Sequence, residues 1–159
     1  MYKTKYVNSG LITGTQWDTM INTIYKKDST KQPTSYQWGN FINQALSYKG
    51  RVASYDANRF LSTFGDESQG NIADQQIYTT GASKQAEAYH LFDVAGNVWE
   101  KTEEITVYSV ANQDLVTINR GGGSINVTNE YPAIFRNSMG IPNVKGTNAL
   151  GFRMVLYIK

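Results

Sequence analysis

"LFDVAGNVWE", residues 91–100, is the most informative segment of the chain. It holds one carboxylate near its start, Asp93, and another at its end, Glu100, with an Ala-Gly-Asn turn and Trp99 between them. A turn accounts for Gly96 and Asn97, because both residue types tolerate a left-handed backbone. A core accounts for Trp99. Neither accounts for acids flanking so apolar a run, since a buried carboxylate must be paired, solvated or bound to a cation.

Outward from this stretch, composition narrows the classes. The chain has 159 residues, 40% of them hydrophobic, and fits one compact domain over 1–159, since a fold of this size buries about 70% of its unfolded surface. A net charge of +2, with Lys and Arg scattered, excludes a nucleic-acid surface. Cysteine is absent, which removes disulfides, thiolate metal sites and thiol catalysis. "MYKTKYVNSG" has no apolar leader core, and no run approaches the ~18 apolar residues of a membrane span, so a soluble chain is expected without membrane insertion. Eleven Tyr, three Trp and 14 Gly suit a loop-rich domain with an aromatic and amide recognition surface.

The periodicities predict an α+β order. Thr15 followed by Asp18 reads as a helix start, and Trp17, Met20, Ile21 and Ile24 share one face of a helix over Gln16–Lys27. "SYQWGNFINQALSY" reads as a second, shorter helix packing Trp38, Phe41, Ile42 and Leu46. From Lys49 to Tyr89 periodicity is poor and long irregular loops are expected. "EITVYSV", "LVTINR" and "GFRMVLYI" read as strands of a small antiparallel sheet. In the last, Phe152, Met154, Leu156 and Ile158 are predicted to face the core.

Three segments together resemble the formylglycine-generating enzyme family, the sulfatase-modifying-factor domain, a variant of the C-type lectin fold. "GLITGTQWDTMI" is similar to the family's Arg-Leu-Pro-Thr-Glu-x-Glu-Trp-Glu helix start. "LFDVAGNVWE" resembles its signature Gly-Leu-Tyr-Asp-Met-x-Gly-Asn-Val-Trp-Glu-Trp, and "RGGGS", "FRNSM" and "GFRMVL" follow in the family's order. The resemblance runs from residue 10 to 157 and implies a C-type-lectin-like fold of this type; the family's Gly-rich opening strand is altered or absent, as in a trimmed version or a module of something longer. Characterised members hold calcium on the signature, which implies Asp93, Gly96, Val98 and Glu100 as structural Ca2+ ligands here. Carboxylates and carbonyls suit that hard cation. The alternative is that Asp93 caps a turn and Glu100 pairs with Arg120, Arg136 or Arg153. Lys101 stands where the family has tryptophan.

The oxidases of the family hold copper through two cysteines, so no copper site and no formylglycine generation are expected here. His90, the single histidine, lacks any readable Ser-His-Asp partner spacing and is expected to be structural. Asp66, Glu67, Glu103 and Glu104 read as solvated acids. "RGGG", 120–123, lacks a phosphate-loop pattern and reads as strand termination with close backbone approach. "NVT", 126–128, fits a glycosylation sequon, relevant only in a eukaryotic secretory host.

What is left is recognition. Variable proteins of diversity-generating retroelements and some phage receptor-binding proteins share the fold and place ligand contacts in the C-terminal segment. Carried onto this chain, the resemblance implies Ile125, Asn126, Asn129, Tyr131, Ile134, Phe135 and Asn137 as contacts. It also implies a protein or carbohydrate ligand on a cell surface, and a bacterial or phage origin. Two classes stay open: a non-catalytic binding module, and a divergent enzyme with a pocket around His90 or paired acids.

Overall fold

In the computed structural model of the chain, residues 3, 5–31, 35, 37–42, 44, 46–55, 62–73, 75–109, 114–126, 130–138 and 150–158 are described. Their elements run β1 (Val7–Leu11), α1 (Gly14–Lys27), β2 (Ser47–Gly50), β3 (Val52–Ser54), β4 (Ser68–Asn71), β5 (Gln76–Tyr78), β6 (Glu87–Ala88) and β7 (Leu91–Phe92). The chain then enters β8 (Trp99–Ser109), β9 (Asp114–Arg120), β10 (Leu150–Phe152) and β11 (Met154–Ile158). The result is a mixed α+β fold with one helix and several small, mostly antiparallel sheets.

The helix begins two residues earlier than its sequence suggests. Thr13 caps it, accepting from the Gln16 amide, while the Gln16 side chain accepts from the Thr13 amide. Glutamine closes the capping box in place of Asp18, whose carboxylate is drawn instead to Arg120 at 2.6 Å. Gly14, Trp17, Ile21 and Ile24 form the buried stripe, and Lys26 and Lys27 lie in the last turn, where the helix dipole favours cations.

The second helix predicted within 35–48 does not form among the described residues. Ser35 has φ 58°, off the helical path. The Asn40 backbone pairs with the signature loop instead, its N–H donating to the Ala95 carbonyl at 3.1 Å and its carbonyl accepting from the Asn97 amide at 2.8 Å. Trp38, Phe41 and Leu46 are buried as expected, but from irregular backbone. Backbone bonds to a distant loop have replaced the local i→i−4 bonds.

The middle of the chain is more regular than its sequence suggests. β2 pairs with β4, β3 with β5 and β6 with β7, all antiparallel. A small second core of Leu46, Ile72, Tyr78 and Ala86 supports them. The larger core joins Ile12, Trp17, Ile21 and Ile24 to Trp38, Phe41, Val94, Ala95 and Ala133. At the C-terminal end, β8 and β9 form an antiparallel hairpin, β10 lies parallel to β8, and β11 pairs with β1 from Val7↔Ile158 to Leu11↔Met154.

The closing strand carries a correction. Phe152, Met154 and Leu156 face outward, with 65%, 50% and 68% exposure, the side chain of Ile158 lies outside the described residues, and it is Val155 that packs against the large core. Arg153, on the inward face, joins Glu100. Alternation separates a strand's two faces without saying which one is inside, and a buried ion pair has settled it here. Among the described residues, no helix is long and apolar enough to cross a membrane.

Candidate functional site

The signature loop is built on three left-handed residues, Asp93 (φ 56°), Gly96 (φ 73°) and Asn97 (φ 66°). Gly96 is required on two counts: its backbone is left-handed, and a Cβ there would collide with the Asn40 carbonyl. Its N–H donates to the Gly121 carbonyl at 2.7 Å, tying the loop to the glycine run after β9. Asn97 is buried and behaves like a strand partner. Its Nδ2 donates to the Tyr78 carbonyl at 3.0 Å, and its Oδ1 accepts from the Tyr78 amide and from Asn40 Nδ2, both at 3.1 Å. That amide geometry explains why the turn needs asparagine rather than any left-handed residue.

The two acids meet different partners. Arg153 grips Glu100 with two nitrogens, Nε to Oε2 at 2.9 Å and Nη2 to Oε1 at 2.6 Å, and donates also to the Phe92 carbonyl at 2.8 Å. Of three candidate arginines, the fold has chosen the one between β10 and β11. Burial pushes the Glu100 carboxyl above its usual range, with Arg153 opposing. Asp93 is 5% exposed; its Oδ2 accepts from the Gly81 amide at 2.9 Å, and the buried Tyr78 hydroxyl is its other polar neighbour. Burial raises Asp93 too, with the Gly81 bond, the Tyr78 hydroxyl and the Arg153 charge opposing, and burial pushes the neighbouring Tyr78 phenol up strongly, aided by the Asp93 charge.

These donors bear on the calcium expectation. Calcium takes about 6–8 oxygen ligands. Here both Glu100 oxygens are committed to a guanidinium, Asp93 is held by the Gly81 amide and the Tyr78 hydroxyl, and Gly96 is pressed against Asn40. Val98 lines a cleft with Asp93 and Glu100, where it adds an apolar side chain beside Phe92, Leu150, Phe152 and Met154. Among the described residues, no group of three or more Asp, Glu or His side chains is gathered for a metal. As arranged, this set does not suit calcium.

The C-terminal loop separates its seven predicted contacts. Ile134 and Phe135 are exposed at 38% and 37%, and Tyr131 is half-buried. Tyr131 and Phe135 meet Trp99 in a trio of edge-to-face rings, with centroids 5.2–6.5 Å apart. Ile125 is half-buried. Asn126 serves a turn, its Oδ1 accepting from the Gly123 amide at 3.0 Å and its carbonyl from the Ile42 amide at 3.0 Å. Asn137 is buried and exchanges both backbone bonds with Asn119. Asn129 lies outside the described residues.

The loop backbone is held from outside. Trp17 Nε1 donates to the Ala133 carbonyl at 3.0 Å, Ser35 Oγ accepts from the Ala133 amide at 2.9 Å, and Arg120 Nη1 donates to the Ile134 carbonyl. Arg120 is fully buried and also binds Asp18 at 2.6 Å and Glu104 at 2.8 Å, so one guanidinium joins α1, β8 and the loop. Sequence reasoning placed Glu104 on a solvated face; its side chain is 10% exposed and holds both Arg120 and Arg136. Asp66, Glu67 and Glu103 are exposed as expected. Gly122, φ 79°, sits where a Cβ would come within 2.7 Å of the Tyr131 carbonyl, which is the close approach "RGGG" implied. The His90 side chain is 96% exposed and faces Glu87 at 3.3 Å. Sequence alone offered Arg120 only as a partner for Glu100 and Asn97 only as a turn residue; their actual partners stand 14 to 102 positions away.

A C-terminal aromatic loop clamped to an α+β scaffold, beside a signature turn tied to the last strand, defines the class. The family model of the sulfatase-modifying factor enzyme 1-like domain matches residues 10–158, and the chain belongs to that family. No curated protein and no solved structure matches it. With no cysteine in the chain, the cysteine site of formylglycine generation is absent.

Proposed function

We propose that the chain is a non-catalytic ligand-binding or receptor-binding module on a C-type-lectin-like scaffold. It presents the surface of Tyr131, Ile134 and Phe135 to a protein or carbohydrate on a cell surface. The observation that carries this reading is the clamped loop: exposed aromatic and aliphatic side chains project from a backbone anchored by Trp17, Ser35 and Arg120. Side chains on such a loop change without disturbing the anchors, and a pre-ordered loop loses little entropy on binding. A variable protein of a diversity-generating retroelement, or a phage tail-associated protein, is the particular form we favour.

The test is binding of the purified chain to a glycan array and to whole bacterial cells. Replacing both Tyr131 and Phe135 by Ala is expected to abolish binding while the chain stays folded. Undiminished binding by that variant would overturn the reading, as would turnover of a substrate by the wild-type chain. For the retroelement form, a near-identical template repeat and a reverse transcriptase gene should adjoin the coding region.

A further inference from the structure

The last stretch of chain leaves one edge open. β11 pairs with β1 and β10 with β8, and Ile12 bridges the two pairings: its N–H donates to the Arg153 carbonyl at 3.3 Å and its carbonyl accepts from the Glu103 amide at 3.0 Å. β1 and β8 therefore lie on the same side of residues 150–158, and among the described residues no strand pairs with the other side. An open edge is normally guarded by charge or proline, because its unpaired amides and carbonyls are a template for another strand. β11, Met-Val-Leu-Tyr-Ile, has neither. Along the same stretch Phe152, Met154 and Leu156 are 65%, 50% and 68% exposed. Beside them lies a cleft of about 460 Å3 with Phe92, Val98, Leu150, Phe152 and Met154 as its apolar walls. The charged groups at its base are already engaged within the chain, so what the cleft offers a visitor is apolar surface.

We propose that two copies of this chain meet through β11, pairing antiparallel about a two-fold axis near Val155. That register sets each Leu156 opposite the partner's Met154, where cross-strand side chains touch. The side chain that protrudes furthest thus enters the mouth of the partner's cleft, and the contact repeats across the axis. The two-stranded sheet of each copy becomes half of a four-stranded one, ordered β1-β11-β11-β1, and the open edges vanish. A second copy is the occupant because protrusion and cleft lie two residues apart on one strand, so each copy carries its own complement. The area also suffices. Side chains of this size present on the order of 150 Å2 each, so the three exposed ones leave on the order of 300 Å2 open per copy. A specific interface needs about 500 Å2 per copy, and the cleft walls and strand backbone make up the rest.

The expected Kd is on the order of 10 µM, so sedimentation equilibrium of the intact chain between about 1 and 200 µM spans monomer and dimer. Leu156→Glu, which brings two carboxylates into the contact, should raise the Kd at least tenfold, and Phe152→Ser several-fold. Both sites are exposed, so thermal unfolding at low concentration, where the chain is monomeric, should match the wild type. Leu115→Glu, at a 55% exposed position on β9, should leave the dimer intact. A monomer throughout the range would overturn the proposal, as would association that continues past the dimer, a dimer indifferent to both Leu156→Glu and Phe152→Ser, or one that Leu115→Glu disrupts. Replacing Tyr131 and Phe135 by Ala leaves this equilibrium unchanged, so failure here is distinguishable from failure of the loop-surface reading.

Discussion

Replacing Asn97 by Ala tests how the signature loop is held. Asn97 is 5% exposed, and its amide makes three bonds: 3.0 Å to the Tyr78 carbonyl, 3.1 Å from the Tyr78 amide and 3.1 Å from Asn40 Nδ2. Asn40 Nδ2 keeps its second partner, the Gln76 carbonyl at 2.9 Å, so the truncation strands chiefly the two backbone groups of Tyr78. Each buried orphan costs about 1–3 kcal/mol. A left-handed alanine at φ 66° adds about 1–2 kcal/mol. The expected loss is therefore about 3–8 kcal/mol, against a total stability of about 5–15 kcal/mol for an ordinary domain. Urea unfolding followed by tryptophan fluorescence measures it. Asn97→Gly should lose the same bonds without the backbone strain, and so should recover about 1–2 kcal/mol of the alanine loss. A loss under about 1 kcal/mol for alanine, or a glycine variant no better than alanine, would refute the strand-partner role of this side chain.

Two further outcomes follow from the same packing. Leu156→Ser on the outward face of β11 should change stability by no more than about 0.5 kcal/mol, whereas Val155→Ser, against the core, should cost about 1–3 kcal/mol; the reverse order in thermal unfolding would place the strand the other way round. Burial holds the Asp93 carboxyl above its usual range, so its contribution to stability is fully present below the unfolded pKa of about 3.9 and is lost as pH rises through the folded pKa. Asp93→Asn should therefore gain on the wild type as pH increases from about 4. Comparing the two chains cancels the opposite trend of Asp28 and Glu87, whose lowered pKa values are unaffected by the change. A stability difference flat with pH would contradict the burial of that charge.

What the sequence determined by itself were the features whose causes are local. The apolar spacing of Trp17, Ile21 and Ile24 required α1, the β-branched runs required β8 and β9, and Gly96-Asn97 required a left-handed turn. The ordered motifs implied the family that the match over 10–158 shows, and the lack of cysteine removed the cysteine site of formylglycine generation. Tertiary structure decided matters of partnership. It selected Arg153 for Glu100, turned Phe152, Met154 and Leu156 outward, moved the helix cap to Thr13 by drawing Asp18 to Arg120, and diverted Asn40 from a helix to the signature loop. The physical reason is common to all four. Periodicity and propensity act over a few residues, whereas buried charges and backbone amides choose their partners across the fold, where desolvation makes an unpaired group more costly than a lost local preference.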